Sequence, residues 1–298
     1  MNRPTVRELE CFVAVAEELN FSRAAKRLHL SQPPLSRQIQ SLEEKLNASL
    51  LLRNTRAVSL TPAGKLLLED ARALLHRLDA TADAVRRAAQ GEPSRLRLGF
   101  VGALLDEDMA QILQGFRKLH PDCQIQLSDL TPAPLMEALG QGLLDGAFIG
   151  ASPHTLPRKL DAFVWKQEPL LIALPETHPL AGSKTLPLGQ LRSEGWVMVS
   201  REAAPAFRRQ FEELCRKADF QPRVVQESER VAAVLTMVIA SQGISLLPES
   251  VSRVISSGVV FRPIEGRPAP SLDHTFLFHR KSVSPELRAF VSLLMSAF

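Results

Sequence analysis

The sequence predicts an α/β protein in three parts: a small helical module with a short hairpin, one long helix, and a larger region of alternating strands and helices. Three observations support this fold class. In the N-terminal part, apolar residues recur at intervals of three and four residues, and from Leu68 to Ala89 they follow a heptad repeat. In the rest of the chain, strand-like and helix-like patterns alternate. A length of 298 residues with 45% hydrophobic side chains is enough for two or three domains.

The first helix is predicted from a capping box, in which the Thr5 hydroxyl and the Glu8 carboxylate satisfy free amides at the helix start. We expect Ser22 to cap a second, short helix, and the turn at His29 and Leu30 to end it. The positions of the first helix that we expect to be buried are Val6, Leu9, Phe12, Val13, Ala16 and Leu19.

Two consecutive prolines, Pro33 and Pro34, lie in a stretch that otherwise has helical periodicity. A helix interior does not tolerate them, but a first turn does, because its amides have no intrahelical acceptor. We therefore predict a third helix that is capped by Ser31 and has a rigid start. Its polar face presents Gln32, Ser36, Arg37 and Gln40, opposite a buried stripe of Leu35, Ile39, Leu42 and Leu46.

A short helix, a tight turn and a helix with such a polar face indicate a helix-turn-helix. Long polar side chains can reach base edges, glutamine at adenine and arginine at guanine. An ordinary amphipathic helix would also have a polar face, but it explains neither the prolines nor the absence of acids between Glu18 and Glu43. The net charge of +4 agrees with a polyanionic partner, and a solvated helical face is the alternative explanation of the charge.

The next segment, Leu50 to Leu60, is apolar with Arg53 and Arg56 at its centre, which predicts two short strands with a basic tip, a wing. Thr61 then starts a helix over Pro62 to about Ala89. Its heptad seam has almost no globular domain to pack against, so we predict a homodimer that binds a partly palindromic DNA site. The seam consists of Leu68, Ala71, Leu75, Leu78, Ala82, Val85 and Ala89.

The run AAKRLHLSQPPLSRQIQSLEEKL, followed by LLLRNTRAVSLTPAG, resembles the winged helix-turn-helix of the LysR-type transcriptional regulators. Leu52 departs from that pattern, because the family usually has Phe there, and we expect a core substitution without effect on DNA contact. The resemblance implies DNA contacts for Gln32, Pro33, Ser36, Arg37 and Arg53. The full set of candidate DNA-binding residues is Ser22, Arg23, Ser31, Gln32, Pro33, Pro34, Ser36, Arg37, Gln40, Arg53 and Arg56.

A hinge-like break at Gly91 to Ser94 is followed by alternating strand and helix patterns, which predict parallel, doubly wound sheets. The length of this region predicts two lobes with a cleft between them. The segments HPDCQIQL, LLDGAFIG, HPLA and QGISLLP extend the resemblance and imply a two-lobed effector-binding domain like the periplasmic binding proteins. The predicted domains are a DNA-binding domain at 1–61, a linker and dimerisation helix at 62–90 and an effector domain at 91–298. Its lobes are about 95–163 with 268–298, and about 164–267.

Predicted strands of this region run over 96–101, 124–130, 146–149, 163–174, 196–200, 224–226, 244–247, 259–263 and 275–279. Predicted helices run over 108–119, 134–141, 205–217, 229–240 and 285–296. Ligands in such folds bind beyond the carboxyl ends of strands, near helix starts. Two such starts, after Gly102 and Ala103 and after Thr131, are expected to face one crevice that favours an anion.

Among the LysR-type regulators, GFVGALL, Thr131 and the pair Pro205 and Phe207 resemble the branch that senses aromatic-degradation intermediates, whereas Ala103 and Gly150 depart from it. We expect a small organic or aromatic acid as the effector, with Arg201 as a substitute anchor and Phe207 as a wall. The alternatives are that Arg201 is a solvated charge on a loop and that Phe207 belongs to the core beneath its helix. The candidate effector-binding residues are Gly102, Ala103, Thr131, Gly150, Arg201, Pro205 and Phe207.

Several classes of protein are not supported. No H-E-x-x-H, G-x-S-x-G, Walker A or G-x-G-x-x-G motif occurs, so we predict no enzyme, no catalytic residue, no metal and no cofactor. Cys11, Cys123 and Cys215 form no C-x-x-C pair, which together with the lack of a signal pattern or membrane-length run predicts a cytoplasmic location. A solute-binding protein is the remaining alternative, but it would need export and would not carry a basic helical module.

The partners that we predict are double-stranded DNA, a small-molecule effector and a second copy of the chain. The resemblance further implies a homotetramer, and RNA polymerase is a further candidate partner. The effector is expected to close or reorient the cleft and so to change how dimers pair on DNA.

Overall fold

A computed structural model of the chain describes residues 3–54, 57–102, 106–151, 156–157, 159–254, 257–266, 268–280 and 283–297; the side chains of residues 53, 54 and 57 lie outside this description. The chain divides into two compact units. The first comprises residues 1–92 with 140–143, and the second comprises 93–139 with 144–298. Among the described residues, no helix is long and apolar enough to cross a membrane.

The first unit contains the predicted helices and hairpin. The Thr5 and Glu8 capping box is present, and Thr61 caps the long helix by accepting the amide of Gly64. That helix ends at Gly91, whose φ of 68° is the left-handed conformation that favours glycine. The elements are α1 (Val6–Glu18), α2 (Phe21–Arg27), α3 (Gln32–Leu46), β1 (Leu51–Asn54), β2 (Ala57–Leu60) and α4 (Pro62–Gln90), with β1 and β2 antiparallel.

Two details of the first helices differ from the prediction. Asn20 caps α2 by accepting the amide of Arg23 at 3.0 Å, so Ser22 lies within the helix and is not its cap. In α1, Val6 and Leu19 at the two ends are exposed, whereas buried residues occur on more than one stripe, because α1 contacts α2, α3 and α4. The buried residues of α1 are Glu8, Leu9, Cys11, Phe12, Ala14, Val15 and Ala16.

The heptad seam of α4 is buried in the first part of the helix and exposed farther along. Ala71 is fully buried in the core of the first unit, and Leu68 and Leu75 pack against that core. The prediction that the seam has almost no globular domain to pack against is therefore wrong for this part of the helix, because α1 covers it. Farther along, Leu78 and Val85 are 47% and 64% exposed.

The second unit contains the strands and helices that the sequence predicts, with shifted ends, together with a short helix and a 3-10 turn at Leu188–Leu191 that it does not predict. The elements are β3 (Ser94–Phe100), α5 (Glu107–Leu119), β4 (Cys123–Asp129), α6 (Pro132–Gly140), β5 (Gly146–Gly150), β6 (Leu160–Pro175), β7 (Gly195–Val199), α7 (Pro205–Lys217), β8 (Arg223–Ser228), α8 (Val231–Ile239), β9 (Ser245–Pro248), α9 (Glu249–Ser252), β10 (Val259–Pro263), β11 (Ser271–His279) and α10 (Pro285–Ser296).

The sheets of this unit are mixed, not all parallel. The main sheet has the order β10-β6-β11-β5-β3-β4, with β9 also paired to β6, and β7 and β8 form a separate pair. The pairs β3 with β4, β3 with β5, and β7 with β8 are parallel, but β11 and β6 run antiparallel to each other, and β6 runs antiparallel to β9 and β10. The prediction failed there because β11 returns between β5 and β6 late in the chain, which no local pattern encodes.

Strand β6 links the two halves of this curved sheet. Its residues 160–169 pair with β11, and its residues 170–175 pair with β9 or β10. Aromatic rings fill the core on both sides: Phe148 contacts Phe276 with ring centroids 4.7 Å apart, and Trp196 contacts Phe211 at 4.8 Å.

Candidate nucleic-acid interface and ligand cavity

Helix α3 presents a polar face to solvent. Arg37 lies in its middle and is exposed, together with Gln32, Pro33 and Gln40, while Ser36 is half-buried. The opposite face is fully buried at Leu35, Ile39 and Leu42. Leu46 is 37% exposed, so its predicted burial is wrong; it is the last residue of the helix, next to Asn47 in the left-handed conformation.

The start of α3 has the geometry that the prolines predict. Ser31 is the N-cap residue with an extended backbone, and Pro33 and Pro34 occupy the first turn. The Ser31 side chain makes no capping hydrogen bond. Ser22 Oγ, on α2, donates instead to Gln32 Oε1 at 3.4 Å, so a contact with α2 and the fixed proline φ angles both hold this end of the helix.

Helix α3 is also held by a buried carboxylate of α1. Glu8, only 2% exposed, accepts hydrogen bonds from Ser41 Oγ and Lys45 Nζ, both at 2.7 Å. Burial raises the pKa of Glu8, but the hydrogen bonds from Lys45, Ser41 and Thr5 outweigh it, and the net pKa is about 2. The carboxylate therefore stays charged at neutral pH and fixes α3 against α1.

Two basic residues of α2, Arg23 and Arg27, are paired with acids of α1. Arg23 donates to Glu18 at 3.2 Å, and Arg27 donates to Glu17 at 2.6 Å. The stretch without acids in the sequence has acids beside it in space, because α1 packs against α2. Arg37, in contrast, forms no ion pair with any residue that the structure describes, so its guanidinium is available to a partner.

The wing is present as a hairpin, and the side chains of its predicted basic tip lie outside the described residues. Arg53 lies on β1 with its side chain outside the described residues, and Arg56 lies outside them altogether. Leu52 is 54% exposed, whereas Leu51 beside it is buried, so the expectation that Leu52 belongs to the core is wrong. The reason is the period of two in a strand, which turns alternate side chains to solvent.

The second unit contains a cavity of about 340 Å³, a size that suits a small organic molecule. One wall is formed by residues at the carboxyl ends of β3, β4 and β5, and the other by residues of α7, α8, β9 and α9. Most of the lining is apolar. The apolar side chains include Val101, Leu130, Val199, Phe207, Leu235, Leu247, Val251 and Leu272.

The cavity brings together part of the predicted effector set. Gly102, Thr131, Gly150 and Phe207 all line it, although they come from widely separated parts of the chain. Ala103 lies outside the described residues. The other two predicted residues are absent from the described lining: Pro205 is in the first turn of α7, and the exposed guanidinium of Arg201 pairs with Glu212.

The lining also contains charged residues that the sequence did not predict, among them Asp129 and Arg230. Arg230 Nη1 lies 3.3 Å from Asp129 Oδ2, and Asp129 Oδ1 accepts the amide of Gly102 at 3.1 Å. The sequence predicts a helix over 229–240, in which Arg230 is the second residue, but α8 starts at Val231 and leaves Arg230 as its N-cap residue. An acid at the end of a strand and an arginine at a helix start were the available signals. Among the described residues, no cluster of metal-ligating side chains occurs.

Both units match family models. Residues 6–65 match the bacterial regulatory helix-turn-helix protein model of the lysR family, and residues 89–298 match the LysR substrate binding domain. The chain belongs to the LysR family. This LysR protein is thus a DNA-binding transcriptional regulator with a substrate-binding domain, in agreement with its relatives, which are transcriptional regulators and not enzymes.

Curated relatives and solved structures agree with this assignment. The LysR chain is 34% identical over 261 residues to the HTH-type transcriptional regulator AlsR of Bacillus subtilis (strain 168), covering 87% of this chain and 85% of AlsR. It is 36% identical to the probable cat1 operon transcriptional activator of Acinetobacter lwoffii, covering 89% and 87%. The crystal structure of full-length CbnR with its target DNA matches with a TM-score of 0.68 and 29% identity, covering 99% of this chain and 100% of CbnR.

Proposed function

We propose that this regulator binds an organic acid in the cavity of its second unit and that this binding changes its affinity for promoter DNA. The observation that carries the proposal is the composition of the lining: a largely apolar cavity of about 340 Å³ that also contains Thr131 and the guanidinium of Arg230. A ligand carboxylate can replace Asp129 on Arg230 and accept the hydroxyl of Thr131. Phe207 and the other apolar side chains can then enclose the body of the ligand, and an aromatic ring suits such walls.

We propose that α3 reads the DNA through Gln32, Ser36, Arg37 and Gln40. Exposure of this face and the fixed helix start support that role. Ser31 and the prolines would then set the helix start, and Ser22, Arg23, Arg53 and Arg56 would lie near phosphates. The pairing of Arg23 with Glu18 makes Arg23 a weaker candidate than Arg37.

The exposed part of the α4 seam supports a homodimer in which two recognition helices contact two half-sites. The proposed domains are the DNA-binding domain at 1–61, the linker and dimerisation helix at 62–90 and the effector domain at 91–298. The proposed lobes of the effector domain are about 95–163 with 268–298, and about 164–267. A tetramer remains a prediction from the family resemblance, a cytoplasmic location remains a prediction from the cysteines and the lack of a signal pattern, and RNA polymerase remains a candidate partner.

The experiment that tests the proposal starts with mapping of the operators by chromatin immunoprecipitation. Fluorescence anisotropy of the full-length protein on operator DNA is then measured with a panel of small acids and, as matched controls, their neutral amides. We expect at least one acid to shift the DNA-binding midpoint while its amide does not. A panel in which only neutral compounds act would contradict an acid effector.

A variant of the cavity completes the test. Thr131→Val keeps the shape of the side chain but removes its hydroxyl. We expect weaker binding of the active acid in isothermal titration. Unchanged affinity would remove Thr131 from the site.

A further inference from the structure

A glutamate and a histidine are buried together behind the cavity. Glu168 on β6 is 3% exposed and His274 on β11 is 0% exposed, and His274 Nε2 lies 2.6 Å from Glu168 Oε2. Burial of a carboxylate lowers the stability of the folded state because the charge loses its hydration. Apolar residues of similar volume are often as stabilising as a buried ion pair. The pair therefore calls for an explanation other than the stability of the core.

Glu168 lies where β6 changes its pairing partners. It stands opposite Leu272 of β11, and two residues later Leu170 stands opposite Pro248 of β9. Pro169 separates the two and has no amide hydrogen to donate to either neighbour. The carboxylate is thus located at the joint between the two halves of the sheet.

His274 lies at the same joint on the neighbouring strand. The register of β11 with β6 is irregular between His274 and Thr275, and His274 stands opposite Gly150 on β5. Gly150 and Leu272 both line the cavity. The buried pair therefore has cavity residues as its cross-strand neighbours, Leu272 opposite Glu168 and Gly150 opposite His274, although neither Glu168 nor His274 is part of the described lining.

The second oxygen of Glu168 reaches the other wall. Glu168 Oε1 accepts the backbone amide of Ser250, which lies in the first turn of α9. Ser250, Val251 and Val254 line the cavity. Burial raises the pKa of Glu168, but the close approach of His274 and the hydrogen bond from Ser250 outweigh it, so the net pKa lies below its ordinary value and the acceptor is charged.

We propose that the Glu168 and His274 pair positions the α9 wall of the cavity. His274 fixes the orientation of the carboxylate, and the carboxylate holds the amide of Ser250 and with it the segment that follows. Both are positioning residues that set the shape of the cavity without touching its ligand. Their effect on ligand binding rests on the proposed function, whereas the position of the wall can be measured without any ligand.

The first test removes the pair as a whole in the full-length protein. The double variant Glu168→Leu with His274→Leu leaves no charge unpaired, so its melting temperature should stay close to that of the wild type. In hydrogen exchange, the amides of residues 251–254 should exchange at least about tenfold faster than in the wild type, while those of α10 should not change. Wild-type exchange at residues 251–254 in the folded double variant would overturn the proposal.

His274→Gln is the conservative counterpart, because its side-chain amide can still donate to Glu168. We expect this variant to keep the exchange rates of residues 251–254 near those of the wild type. Exchange as fast as in the double variant would show that a donor to Glu168 is not what holds the wall.

The second test removes only the contact between Glu168 and α9. Ser250→Pro deletes the amide donor at a first-turn position that tolerates proline, and Ser250→Ala is the matched control that keeps the amide. We expect faster exchange at residues 251–254 in the proline variant and wild-type exchange in the alanine variant. Equal rates in the two variants would show that Glu168 does not hold the wall, and this outcome does not depend on the folding of the double variant or on the existence of an acid effector.

Discussion

Arg230, at the start of α8, lies 3.3 Å from Asp129 at the end of β4, and the two residues join the opposite walls of the cavity. Their side chains are 57% and 46% exposed. An ion pair this exposed contributes little to stability because water screens it. A ligand carboxylate can therefore displace Asp129 from Arg230 at small cost.

This relationship predicts opposite effects of two substitutions on the affinity for an acid effector. Arg230→Gln should lower the affinity about tenfold or more, because a charge-assisted hydrogen bond is lost. Asp129→Asn should raise it, because the competing carboxylate is gone. Isothermal titration of the full-length variants measures both, with Arg201→Gln as the control, since Arg201 pairs with Glu212. A loss confined to Arg201→Gln would favour the anchor that the sequence suggested.

Arg37→Ala should weaken binding to operator DNA more than binding to random DNA. If Arg37 reads a base, its loss removes about 1 to 3 kcal/mol of discrimination. Arg7→Ala is the control, because Arg7 is exposed on α1 but pairs with Glu10. Anisotropy titrations at fixed salt compare the two DNAs. Equal weakening on both would reduce Arg37 to a phosphate contact.

The stability of the first unit should fall in acid because of Glu8. The pKa of Glu8 is about 2 in the folded protein against an ordinary value of 4.5, so the unfolded chain takes up the proton first as the pH falls. The contribution of this shift, about 3 kcal/mol, is complete above the unfolded pKa and is lost progressively as the pH falls toward about 2. Urea unfolding of the full-length protein, followed by circular dichroism at several pH values, measures it.

The variant Glu8→Gln should lose that pH dependence and be less stable at pH 7. Glu10→Gln is the control, because Glu10 is on the same helix but exposed and paired only with Arg7. A pH profile of Glu8→Gln that matches the wild type would assign the acid sensitivity to other groups.

Replacement of the exposed seam residues of α4 should dissociate the dimer. Leu78→Glu with Val85→Glu places two carboxylates where the partner helix is expected, and burying them without a cation is unfavourable. Ala84→Glu is the control, since Ala84 is exposed on the same helix but outside the seam. Sedimentation velocity should show smaller particles for the double variant alone. A double variant that sediments as the wild type would locate the dimer contact elsewhere.

The cysteines should be unreactive in the native protein. Cys11, Cys123 and Cys215 are buried free thiols. Burial raises the pKa of each, and that of Cys215 to about 12, so the reactive thiolate is rare at neutral pH. Ellman's reagent should label them only after unfolding, whereas Ala84→Cys, at an exposed position, should add one rapidly reacting thiol. Rapid labelling of the wild type would contradict this burial.

The sequence by itself determined the parts of this protein that depend on neighbouring residues. The capping box at Thr5, the proline-rigidified start of α3, the hairpin and the extent of α4 follow from hydrogen-bonding and steric rules within a few residues. The strands and helices of the second unit could be located for the same reason. Gly102 and Thr131, which both line the cavity, were predicted together because strand ends and helix starts meet at one edge of such sheets, whereas Phe207 was implied by the family resemblance.

Only the tertiary structure decided which distant residues meet. It placed Glu17 and Glu18 beside arginines that the sequence left free of acids, and it exposed Leu52. It brought Arg230 to Asp129, 101 positions earlier in the chain, and buried Glu168 against His274. The physical reason is that the periodicity of a sequence shows only which face of a helix or strand is buried. Which residues lie against that face, and which strand ends meet, depends on the topology of the sheet, in which β11 returns between β5 and β6.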